Sequence, residues 1–105
     1  MWPSLFDDPK TKASFDRLRA RGYDERIAYL VAAVDGAYRS QVSTGYKPLE
    51  AYAKSVGEIA KLAAIAEGYS PEEARKRETE VYEKTLREGM DDPDHPHAER
   101  LFPST

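Results

Sequence analysis

Apolar residues recur three and four positions apart through most of the chain. Ile27, Leu30, Val31, Val34, Tyr38 and Val42 fall on one stripe, and Leu49, Tyr52, Ala53, Val56, Ile59, Ala60 and Ala63 on another. That spacing matches the 3.6-residue turn and predicts two amphipathic helices. The second also carries Leu62 and Ile65 around its flank, which marks it as the most buried element. The segments on either side are thinner. Ala13, Phe15, Leu18 and Ala20 lie among Lys10, Lys12, Arg17, Arg19 and Arg21. A last helix opens on Glu72, Glu73, Arg75, Lys76, Arg77, Glu78 and Glu80, with Ala74 alone to bury, before its stripe of Val81, Tyr82, Thr85 and Leu86. Its first half is expected to face solvent or a polar partner.

Punctuation between these segments repeats. Gly22-Tyr23, Gly45-Tyr46 and Gly68-Tyr69 stand 23 residues apart, and Gly89 follows 21 residues after Gly68. A glycine just past the last turn takes the left-handed conformation that ends a helix, and the next residue folds its apolar body back on that turn. Start signals come at once: Asp24-Glu25, Lys47-Pro48 and Ser70-Pro71, with Asp8-Pro9 before the first helix. Proline suits the first helical position because its missing N–H has no partner there. Ser70 and Glu73 have capping-box spacing. The 23-residue unit is read as similar helix lengths with glycine stops, since the similarity is confined to the caps.

The expected fold is therefore all-α, with four antiparallel helices over about 9–21, 24–43, 48–66 and 71–88, joined by short Gly-Tyr turns. Residues 1–8 are expected to be an extended N-terminal segment and 90–105 an extended or disordered, acidic, Pro-rich tail flanking one helical domain, 9–89. Gly36 and Gly57, about ten residues either side of the turn between the second and third helices, are expected at one level of that hairpin. Close backbone approach there would offset the roughly 1 kcal/mol that each glycine costs within a helix. Two thin outer helices bury little area, and small cores of this kind are often completed by self-association.

Composition narrows the function by exclusion. The chain has 105 residues, 40% hydrophobic and 33% charged, a net charge of −3 and no cysteine. Cysteine chemistry is thereby excluded. No apolar run approaches a membrane span and no basic, apolar leader opens the chain, so a cytoplasmic location is expected. The two histidines, His95 and His97, both lie in the tail, away from any serine in a fixed frame, and no phosphate-binding glycine loop occurs, so no catalysis is expected. His95 and His97 alternate onto one side of an extended strand and form a weak metal candidate; a solvated tail is the preferred reading, and no cofactor or metal is assigned. The seven tyrosines are read as cap, core or interface residues rather than haem ligands.

Two binding readings remain. Trp2, Leu5 and Phe6 at one end and Leu101 and Phe102 at the other are apolar residues in polar surroundings, which suits partner-binding anchors. Lys10, Arg17 and Arg21 share one face of the first helix, with Arg26 just after the turn, a modest nucleic-acid candidate. Residues 59–77 also have the outline of a helix-turn-helix, but Glu72, Glu73 and Glu78 at the start of its second helix would repel phosphates. The expected role is a non-enzymatic assembly or adaptor protein, self-associating and of a type common among phage and mobile-element products. The alternatives are a nucleic-acid-associated packaging or regulatory subunit, and an accessory subunit of a larger enzyme.

Overall fold

The computed structural model describes residues 8–90 and 101. Four helices fill the first span: α1 (Pro9–Ala20), α2 (Glu25–Ser43), α3 (Pro48–Ala66) and α4 (Pro71–Glu88). No strand occurs among the described residues. The helices pack in chain order, α1 on α2, α2 on α3 and α3 on α4, with α3–α4 the most extensive pairing. The segments expected to be extended lie almost entirely outside the described residues.

The three Gly-Tyr turns share one hydrogen-bond pattern. Tyr23 N–H donates to Leu18 O and Gly22 N–H to Arg19 O; Tyr46 and Gly45 donate to Gln41 and Val42, and Tyr69 and Gly68 to Ala64 and Ile65. Each is a Schellman cap, which pairs two carbonyls that the helix end leaves open. The glycines have φ of +98°, +106° and +99°, where a Cβ would be strained. At the other ends, Asp24 accepts the Ile27 N–H at 2.8 Å and Ser70 accepts the Glu73 N–H at 3.2 Å. The Ser70 hydroxyl also lies 3.2 Å from the Glu73 carboxylate. Because Asp24 is the cap, α2 starts one residue later than periodicity suggests. Lys47 gives no side-chain cap, and α3 starts on Pro48 instead.

The core forms where α2, α3 and α4 meet. Leu30 and Val34 of α2, Val56, Ile59, Ala60 and Ala63 of α3, and Val81 of α4 pack together, and Leu101 joins them. α3 buries nine of its residues, the most of any helix. Its flank does not follow: Leu62 and Ile65 remain 45% and 46% exposed. The reason lies in Ala53, Gly57, Ala60 and Ala64, which occupy the inward seats at four- and three-residue spacing and let the neighbours approach closely.

Two further expectations are corrected. Gly36 and Gly57 do not face each other across the α2–α3 hairpin. A Cβ on Gly36 would lie 3.0 Å from the Thr11 hydroxyl of α1, and one on Gly57 would lie 2.9 Å from the Glu78 carbonyl oxygen of α4. Each glycine thus admits an outer helix. The first half of α4 follows the sequence reading: Ala74 is fully buried, while Glu72, Glu73, Arg75 and Lys76 face outward. On α1 the inward residues are Thr11, Ser14 and Leu18, whereas Ala13 and Ala20 are exposed.

Candidate interaction surface

α1 is held to α2 by a polar clamp. Arg39 of α2 reaches back to Asp8 at 2.7 Å and to the Thr11 hydroxyl at 2.9 Å, and also pairs with Asp35 one turn earlier on its own helix. The Thr11 hydroxyl donates to Asp8 at 2.9 Å, and the Ser14 hydroxyl donates to Asp35 at 3.0 Å. Asp8 also accepts the Lys10 N–H as the helix cap. These bonds favour its charged form. The Thr11 hydroxyl, the Arg39 guanidinium and the Lys10 N–H together hold the Asp8 carboxyl below its ordinary value. Every polar partner in the clamp is spoken for by another, so the seam works as a structural joint.

The outer side of α3 is different in kind. Leu62 and Ile65 stand one turn apart on it, and Tyr69 follows one further turn on, 39% exposed just past the helix end. α4 adds Leu86 and Met90, four residues apart and both largely exposed. Between these two helices and the end of α2 runs an open groove of about 650 Å³, lined by Gln41, Tyr46, Lys54, Gly57, Glu58, Glu78, Thr79 and Tyr82. Gly57 lies where α3 and α4 come closest, since any larger residue there would press on the Glu78 backbone. Several charged groups in and beside it are engaged: Lys54 sits 4.8 Å from the centre of the Tyr46 ring, and Lys61 lies 3.7 Å from Glu78. The groove offers aromatic faces, amide and hydroxyl groups and the Glu58 carboxylate, next to an apolar helix face.

The nucleic-acid candidates separate. Lys10 and Arg17 are exposed on α1, and Arg21 is exposed at its C-cap. Arg26 is committed elsewhere, in an ion pair with Glu67 at the C-terminal end of α3. Of the partner anchors, Leu101 is buried within the chain's own core, 3% exposed. It is thus engaged inside this molecule and does not stand out as a free anchor. Trp2, Leu5, Phe6 and Phe102 lie outside the described residues, as do His95 and His97.

The tyrosines take up structural positions. Tyr38 and Tyr52 meet edge to face with ring centres 6.1 Å apart, tying α2 to α3. Burial pushes the Tyr29 phenol up, away from the phenolate that would be needed to ligate a metal. Among the described residues no three His, Asp or Glu side chains converge as a metal site, and no helix is long and apolar enough to cross a membrane.

Sequence reasoning missed the outer face of α3. Its signal was present: apolar residues cover too wide an arc of this helix for one interface to bury. Compared with known proteins, the chain matches no family model, no curated protein and no solved structure.

Proposed function

We propose that the chain is a non-enzymatic assembly or adaptor protein that works through protein–protein contacts and associates with itself. The observation that supports this reading is the exposed apolar row of Leu62 and Ile65 on α3, continued by Tyr69. Large aliphatic residues point outward there while alanine and glycine occupy the inward seats. Contiguous exposed apolar side chains of this kind favour burial against another surface. The neighbouring groove, with its tyrosine faces and polar rim, suits a docking surface better than a reaction centre.

Light scattering after size exclusion tests the reading directly. The native chain is expected at a multiple of 11.9 kDa. The double variant Leu62→Glu with Ile65→Glu is expected at the monomer mass with its helical circular dichroism unchanged. A native monomer that persists to millimolar concentration would overturn self-association.

A second reading rests on Lys10, Arg17 and Arg21, exposed along one face of α1 and its C-cap. A nucleic-acid role predicts retention on DNA that falls steeply with salt and disappears in Arg17→Glu with Arg21→Glu. No retention at low salt would eliminate it.

A further inference from the structure

Leu101 occupies a seat that the four helices leave open. Helix contacts run in chain order, and α2 and α4 form no substantial pairing of their own. Yet Leu30 and Val34 of α2 and Val81 of α4 belong to one cluster with Val56, Ile59, Ala60 and Ala63 of α3. Leu101 is the member of that cluster that comes from outside the helices, and it is 3% exposed. A side chain from far along the chain thus completes the apolar cluster that α2, α3 and α4 share.

The connection is longer than the seat requires. Val81 lies about 10 Å back along α4 from Glu88, at 1.5 Å per residue. The twelve residues 89–100 that lead to Leu101 can span roughly 40 Å when extended. That reach exceeds every dimension of the folded body, 33 × 31 × 23 Å. A tether of that length places no geometric bar on docking into an adjacent molecule.

We propose that the seat is a docking site for the Leu101 segment of a second copy, so that copies associate by exchanging their C-terminal segments. This rests on the reading of the chain as self-associating and names the contact. The apolar contacts are the same within one molecule and between two, so concentration sets the balance. A short tether presents its own segment at an effective millimolar concentration, and exchange gains as the protein approaches that range. Apolar side chains on the outer face of α3 shift the balance further once two copies are held side by side.

The experiment uses the full-length chain and Leu101→Ala, which keeps the tail but empties the seat. A fluorescent peptide of residues 96–105 is titrated into both, and the mass of each is followed by light scattering from micromolar to millimolar concentration. The peptide is expected to bind Leu101→Ala, and to bind the native chain at least about tenfold more weakly because its own segment competes. The same peptide carrying Leu101→Asp is expected not to bind. The native chain is expected to gain mass with concentration while Leu101→Ala stays at 11.9 kDa. If Leu101→Ala loses its helical signal, Leu101→Val replaces it, with the same order of effects at smaller size. A folded variant that ignores the peptide would overturn the proposal. So would a variant that oligomerises as the native chain does, and in that case self-association through the α3 face would still stand. A native chain monomeric throughout would overturn both.

Discussion

α1 and α3 solve the same problem, attachment of a helix to its neighbours, with opposite chemistry. α1 turns Thr11, Ser14 and Leu18 inward and is clasped by Arg39, Asp35 and Asp8. α3 turns alanine, glycine, valine and isoleucine inward and still has Leu62 and Ile65 left over for the outside. A polar seam satisfies its own donors and acceptors and leaves nothing adhesive behind. It also contributes little net stability, because each bond replaces one made to water. An apolar seam stabilises by area, and a helix apolar on more than one side retains a surface that favours a partner. The helix that contributes most to the core is therefore also the one with large apolar side chains left exposed, whereas α1 is the separable part.

Substitutions that reach the two seams should break this contrast in graded fashion. The largest effect is expected from Leu30→Ala, which removes a side chain 1% exposed at the centre of the core. A loss of about 2–5 kcal/mol is expected, seen as a lower urea midpoint for the whole fold. Leu18→Ala deletes the same side chain from the α1 seam, where burial is equally complete. Its effect should sit at the low end of that range and appear first as faster amide exchange in α1.

The two glycines come next. Gly57→Ala presses a methyl on the Glu78 carbonyl, a backbone atom that cannot step aside. Overpacking of about 1–3 kcal/mol should exceed the gain of about 1 kcal/mol in helix propensity, giving net destabilisation in a urea melt. Gly36→Ala meets the Thr11 hydroxyl instead, a side-chain atom held by Asp8 and Arg39 that need yield only a little. There the two terms should nearly cancel. Equal losses at both positions would show that the α1 seam is as rigid as the α3–α4 contact.

Smaller effects should come from the clamp. Arg39→Met strips the guanidinium from Asp8, Thr11 and Asp35, and with that side chain 30% exposed the expected loss is about 1 kcal/mol. It should accelerate exchange in α1 and leave α3 unchanged. Acid should act in the same direction. Asp8 is held below its ordinary value in the folded state, so its contribution is fully present above the unfolded carboxyl range. That contribution is lost as pH falls through the lowered folded value. α1 should loosen in acid before the core does, and Asp8→Asn should flatten that part of the pH profile.

How much of this could be read from the residues depends on range. The helix ends were legible because a Schellman turn needs only Gly and the residue after it, and a cap needs only Asp or Ser before the first turn. The inward face of α1 was not, since an apolar period cannot detect a helix that docks through Thr11 and Ser14. Glycine spacing showed that Gly36 and Gly57 admit close neighbours but carried no information on which neighbour. Leu62 and Ile65 look buried in the sequence because apolar periodicity counts residues and does not count interfaces. Leu101 was recognised as an anchor, but its seat is assembled from three helices distant in sequence, which no local pattern encodes.

Residue-resolved native-state hydrogen exchange, at neutral pH and again in acid, tests the contrast between the two seams most directly. The α1 amides are expected to open with a free energy well below that of the α3 amides, and the gap should widen in acid as Asp8 takes up its proton. Uniform protection from α1 to α4, with one common response to pH, would contradict the picture of a clamped outer helix on a separate apolar core.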